Sequence, residues 1–333
     1  ILALYSEYGE KSFPMLRGMF AFGLWDAKKQ RLFLVKDRYG IKPLYYYSDK
    51  EKLVFASTVK AIAESGQIAV KKNPDALVGF LLFGSVPLPL TTIKNVLAVP
   101  AGHYLTREAD GSQKMIKYYD SLEPFLEKSD GDLNETVLET RKLLEDSVSA
   151  HLISDAPLGV FLSGGLDSSA VAALAAKSRK EKITTLSIIF DEKEFSEEQY
   201  SDLMAKKIGS DHKKIKITKK DFEESFDEIF EAMDQPTIDG VNSFFIAKAA
   251  KMAGLKTVLS GLGADEIFLG YPHFRRAELL KKIQKAVSIF GHRKSLGLAM
   301  SRILNLLGGR YSKLSYFAND DILSFYLGVR GLF

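Results

Sequence analysis

The chain has 333 residues, 46% hydrophobic and 26% charged, and its 46 Lys and Arg against 42 Asp and Glu give a net charge of +4. This is the balance of a folded globular protein long enough for two cores, and the charge is too small to imply a nucleic-acid partner. The absence of cysteine excludes a disulfide, a thiolate metal site and a cysteine nucleophile within these residues, and makes a cytoplasmic setting the default.

An amphipathic helix opens the chain at "ILALYSEYGE", without an initiator Met or a signal-peptide pattern, as in a piece of something longer. Residues 19–57 contain "MFAFGLWD", "RLFLVKD", "PLYYYSD" and "LVFAS". These short β-branched and aromatic runs, divided by turns, predict antiparallel strands. Trp25 is expected in the core, and Asp37 is expected to pair with Arg38 or Lys42 along a domain edge. The longest apolar stretch, "ALVGFLLFGSVPLPL" over 76–90, carries two prolines and falls short of a membrane span. It reads as a buried helix, about 74–84, running into a loop. With a further strand near "GHYL" it completes an α+β domain over residues 1–120. The acidic, turn-rich stretch 121–135 is the predicted linker.

Residues 136–333 then alternate helices and strands. Helix 137–152 leads to strand "GVFLS" (159–163), helix 168–177, strand 183–190, helix 196–208 and strand 212–217. Helices 220–233 and 242–254 and strand 256–260 follow. This alternation predicts a parallel sheet covered on both faces, with a ligand at the carboxyl ends of its strands. Residues 275–333 read as helical and basic, most simply a solvated face.

Two turns carry the chemistry. "SGGLDSS" (163–169) follows an apolar strand and opens a helix, an arrangement suited to phosphate, with Ser163, Gly164, Gly165, Ser168 and Ser169 as donors. Asp167 or Ser168 could instead simply cap the helix. A second strand ends in "SGLGADE" (260–266), so Asp167 and Asp265 are expected at one edge of the sheet. Two carboxylates facing a polyphosphate repel it unless a hard cation lies between, and Mg²⁺ takes one or two carboxylates plus phosphate oxygens.

The first turn lacks the spacing and the lysine of a Walker motif. It resembles the S-G-G-x-D-S loop of the ATP pyrophosphatases, which clamps the β- and γ-phosphates and leaves the α-phosphorus open to an oxygen nucleophile. The resemblance widens beyond the loop. "LRGMFAFGLWD", "KDRYGIKPLYYY", "FASTVKAI" and "VPAGHYL" look like the glutamine amidotransferase domain of the asparagine synthetases. "DAPLGVFLSGGLDSSAVAAL", "LSIIFDE", "DQPTIDGVNSFFIAKAAK" and "VLSGLGADEIFLGYPHF" look like their synthetase domain. The likeness runs from residue 1 to about 275.

It implies a partial N-terminal-nucleophile-type glutaminase domain of antiparallel sheets with helices. A parallel α/β domain of ATP-pyrophosphatase type, truncated at its C-terminus, follows. The implied activity is ATP-dependent amidation of a carboxylate through an acyl adenylate, most simply aspartate to asparagine with glutamine-derived ammonia. The products are AMP and pyrophosphate, the cofactors ATP and Mg²⁺, and the partners small molecules, with a homodimer left open. A β-lactam-synthetase-like or surface-polysaccharide acceptor, or a non-catalytic relative, are the alternatives.

By the same resemblance, Leu162 and Ser163 touch the nucleotide, Ile188 packs on adenine, and Ser260 and Gly261 offer a backbone contact to ATP. Asp167 and Asp265 match ligands of Mg²⁺ and pyrophosphate, and Glu266 and Tyr271 line the acceptor pocket. Asp234, Asp239, Asn242 and Leu262 are candidates to discriminate acceptors. From the residues alone, Ile188 serves equally as core, Tyr271 as the close of a turn before Pro272, and His212 as a contact to its own loop. The family's glutaminase needs an N-terminal cysteine, expected with the glutamine-binding segments ahead of residue 1. One departure stands out: Leu262 occupies a place where better-known members carry Glu.

Overall fold

The structure, a computed structural model, describes residues 1–127, 131–190, 197–275 and 277–278; the basic helices expected further on lie outside the described residues from 279. The chain forms two compact units, Ile1–Asp130 with Glu231–Ile238, and Gly131–Phe230 with Asp239–Phe333.

The first unit begins with α1 (Leu2–Tyr8) and a 3-10 turn (Gly9–Met15), then β1 (Ala21–Asp26), β2 (Arg31–Lys36), β3 (Tyr45–Ser48) and β4 (Leu53–Ala56). Helices α2 (Val59–Glu64) and α3 (Pro74–Phe83) precede β5 (Val96–Ala98), β6 (His103–Glu108) and β7 (Gln113–Lys117), and α4 (Glu123–Leu126) follows. One antiparallel sheet runs β1–β2–β6–β7 and a second β4–β3–β5. Alternation along β2 covers both its faces: Phe33 and Val35 join Phe13, Leu24 and Tyr104, while Leu34 joins Leu44, Val99 and Leu105.

Three expectations change here. Trp25 is 54% exposed, because it alternates with Leu24, the β1 residue that turns into the core. In α3 the buried residues are Ala76 and Gly79, whereas Leu77, Val78, Leu81 and Leu82 are exposed. The helix packs by its small face: a Cβ on Gly79 would lie 2.3 Å from Pro87 Cδ. Asp37 is buried, and its carboxylate accepts backbone N–H bonds from Phe20, Tyr39, Ile41 and Lys42 at 2.9–3.3 Å. These amides lie closer than the ends of Arg38 or Lys42. Arg38 turns away, donating to the Pro14 carbonyl at 2.7 Å and lying over the Tyr119 ring.

Glu231–Ile238 comes late in the chain yet packs with this first unit. Asp234 takes the Val59 and Lys60 N–H groups at 2.8 Å each, Gln235 bonds Thr92, and Ile238 N–H meets the Gly84 carbonyl.

The second unit starts with α5 (Leu133–His151), capped by Asp132, whose side chain accepts from Asn134 and Glu135. Then come β8 (Leu158–Phe161), α6 (Leu166–Ser178), β9 (Thr184–Phe190), α7 (Glu198–Ile208) and β10 (Asp211–Ile217). Helices α8 (Lys219–Glu224), α9 (Phe226–Ala232) and α10 (Gly240–Met252), strand β11 (Thr257–Leu259) and α11 (Ala264–Phe268) complete it. All four strands are parallel in the order β10–β9–β8–β11. Leu158, Val160 and Leu162 pack with Ala172 and Ala175 of α6 on one face, and Leu186 packs with Ala249, Ala250 and Leu255 on the other. The chain steps outward from β8 through β9 to β10, then returns to β8's other side as β11. The order therefore reverses between β8 and β11, the position where open parallel sheets receive ligands.

Candidate functional site

Both strands that flank the reversal end in glycine turns. Beyond β8 the chain passes buried Leu162 to Ser163, and Gly164 adopts φ 91°, a left-handed conformation that favours glycine. A Cβ there would also lie 2.8 Å from the Tyr200 Cβ. Helix α6 starts at Leu166, so Asp167 lies in its first turn, two residues earlier than the expected start at 168 implies. Its N-cap, Gly165, provides no side-chain cap, which leaves the first-turn N–H groups and the helix dipole for an anion.

The serines hold the turn in shape. Ser163 Oγ accepts from the Gly165 N–H at 3.2 Å and lies 2.9 Å from Ser168 Oγ. Ser168 Oγ accepts the Ser163 N–H at 3.2 Å and donates to the Gly165 carbonyl. The Ser168 hydroxyl is thus engaged within the loop, while Ser169 donates its backbone N–H to the Gly165 carbonyl.

The second turn follows β11. A Cβ on Gly261 would lie 2.9 Å from Ser168 N and 3.0 Å from the Asp167 carbonyl carbon, so the two turns touch backbone to backbone and only glycine fits between them. Gly263, at φ 99°, leads into α11, whose first turn carries Asp265 and Glu266. Ser260 Oγ accepts the Leu262 N–H at 3.2 Å, and Tyr271 donates to Glu266 Oε1 at 3.0 Å. The Tyr271 carbonyl also accepts from Phe274 N–H, so the residue both closes a turn and pairs with Glu266.

A cavity of about 780 Å³ adjoins the turns. Of the residues expected at the site, Leu162, Ser163, Ile188, Ser260 and Leu262 line it, as do Asp239 and Asn242. Gly164, Gly165, Asp167, Ser168, Ser169 and Gly261 form the turns themselves. Ile188 fills both roles, packing against the Leu186 cluster and facing the cavity. Asp234 is not among the lining residues; it belongs to the first unit. Glu198, Ser201, Lys251 and Ser187 also line the cavity and were not foreseen. Ser187 alone had a local signal, as a polar residue inside the apolar run "TLSIIF".

His212 does not contact its own loop. It lies in register with Thr185, and its ring reaches across to β9, with Nδ1 2.9 Å from Thr185 Oγ1 and Nε2 3.5 Å from Ser187 Oγ. Burial lowers its pKa and Lys214 lowers it further, against the opposing carboxylates of Asp202 and Asp211. No group of three or more metal-ligating side chains occurs among the described residues. A Mg²⁺ completed by phosphate oxygens needs only one or two carboxylates, and Asp167 and Asp265 each sit in the first turn of a helix that follows a glycine turn.

Comparison with known proteins agrees with this reading of the fold. Residues 139–322 match the asparagine synthase family and residues 1–119 match the glutamine amidotransferase domain. Asparagine synthetase [glutamine-hydrolyzing] 1 of Bacillus subtilis is 33% identical over 86% of this chain and 45% of its own. Asparagine synthetase [glutamine-hydrolyzing] 3 of the same organism is 34% identical over 84% and 47%. Amidase chyE of Penicillium rubens is 30% identical over 94% and 49%. The chain spans about half the length of these relatives.

Proposed function

The chain belongs to the asparagine synthase family, and on that footing we propose that it activates a carboxylate with ATP, as an acyl adenylate, for amidation by ammonia. The observation that carries this is the contact of the two glycine turns at the β8–β11 reversal, beside a cavity of nucleotide size. In this reading the α6 first-turn amides and the Ser163–Ser169 loop bind the terminal phosphates. The nucleoside lies along β9 against Ile188, with the Ser260–Gly261 backbone on its other side. Asp167 and Asp265 would hold Mg²⁺, which supplies charge neutralisation at the departing pyrophosphate. With the terminal phosphates held, the α-phosphorus faces the acceptor, whose carboxylate oxygen attacks it; the bond to the bridging oxygen breaks, and pyrophosphate leaves.

The simplest acceptor is aspartate, with asparagine as product and glutamine-derived ammonia as the nitrogen source. Leu262 favours a second acceptor reading. It is 84% exposed at the cavity wall, where an acid would be in reach of attacking ammonia and a leucine cannot take its proton. Either Glu266, paired with Tyr271, provides the base, or another carboxylate substrate brings its own. The amidase name of one relative is in keeping with a different acceptor. Small-molecule partners, a cytoplasmic setting and a possible second copy belong to this same proposal; no helix among the described residues is long and apolar enough to cross a membrane. The test is to offer the chain ATP, Mg²⁺, ammonia and a panel of carboxylates, with pyrophosphate release and new amide as readouts.

A further inference from the structure

We propose that Ser187 is a positioning residue for the phosphate loop, acting through the carbonyl of Leu162; for its effect on nucleotide this rests on the ATP reading above. The β8–β9 ladder ends with Phe161 opposite Leu186, and its last bond runs from Leu162 N–H to the Leu186 carbonyl at 2.9 Å. At that point the Leu162 carbonyl accepts from the Ser187 hydroxyl. A trans peptide is planar, with its C=O and N–H on opposite sides. Fixing the Leu162 carbonyl toward β9 therefore turns the Ser163 N–H the other way, where it meets Ser168 Oγ at 3.2 Å. From there the Ser163 and Ser168 hydroxyls set the rest of the loop.

Ser187 is itself held from behind. It is 5% exposed and Thr185 is fully buried, both on the face of β9 that meets His212. Thr185 Oγ1 lies 2.8 Å from Ser210 Oγ and 2.9 Å from His212 Nδ1, which leaves Nε2 beside Ser187 Oγ, with Asp202 3.6 Å away. Buried hydroxyls need partners, and the Ser187 hydroxyl finds its closest acceptor in the Leu162 carbonyl, with His212 Nε2 farther off at 3.5 Å.

Amide hydrogen exchange on the chain without nucleotide tests the proposal, alongside binding of MgATP and of adenosine. Ser187→Ala is expected to speed exchange at 163–168 by about tenfold or more and to weaken MgATP by about tenfold, with adenosine changed by less than about twofold. Thr185→Val, one step back on the same face, removes support behind His212 but keeps the Ser187–Leu162 bond, and is expected to raise exchange at 163–168 far less than Ser187→Ala does. Unchanged loop exchange in Ser187→Ala, or an equal rise in both variants, would overturn the proposal, the latter as general loosening of the sheet. Wild-type chain that binds neither MgATP nor adenosine would overturn the nucleotide reading instead, and the exchange result would still decide the role of Ser187.

Discussion

Leu262 stands in the cavity wall two residues before α11 begins at Ala264, and its side chain is open to solvent. Glutamate can be built there without displacing core atoms, so Leu262→Glu tests base catalysis with little risk to folding. If aspartate is the acceptor, the variant should raise ammonia-dependent asparagine formation by at least about tenfold, within the usual reach of a general base, while adenylate formation stays level. Brisk asparagine formation by the unaltered chain would show that no acid is needed at this position. Asp167 offers the complementary test. Asp167→Asn should reduce pyrophosphate release by about a hundredfold or more, with the melting temperature nearly unchanged, because the residue is half-buried in a loop-proximal first turn. Equal losses of activity and stability would assign Asp167 to capping.

Among elements, the segment from the end of β2 to Lys42 depends on one carboxylate. Asp37→Ala leaves four backbone N–H groups without their acceptor, and a loss of about 2–4 kcal/mol in the stability of the first unit is expected in denaturant unfolding. The β9–β10 pair carries a pH signature. His212 in the folded chain takes a proton less readily than its ordinary value of 6.5, chiefly because it is buried. A lowered folded pKa contributes stability that is complete above 6.5 and declines as the pH falls through 6.5 toward the folded value. The fall in melting temperature from about pH 7.5 to about pH 5.5 should therefore be smaller in His212→Gln than in the parent chain, and parallel curves would contradict the assignment. Much of this architecture was legible in sequence, for local reasons. An apolar strand, adjacent glycines and a helix of small residues specify the turn at 163–169, and alternating periods announce the parallel sheet. What escaped depends on which backbone comes near. The amides that take Asp37, the β9 hydroxyls that receive His212 and the α2 amides that draw Asp234 into the first unit are remote or concealed in the chain. Nor does composition tell that α3 packs by Ala76 and Gly79 and leaves its leucines outside.

For the whole molecule, the two units predict different competences. The first unit contains no thiol, so the chain should not hydrolyse glutamine, and free ammonia should serve as nitrogen donor where glutamine does not. Glutamate release from glutamine by this chain would contradict the requirement for a thiol nucleophile in that unit. The central claim, however, concerns the second unit: a loop that holds the terminal phosphates and presents the α-phosphorus. It is tested most directly by identifying the nucleotide formed when the chain turns over ATP with its carboxylate acceptor. AMP and pyrophosphate in equal amounts are the predicted products; ADP and inorganic phosphate would contradict the account.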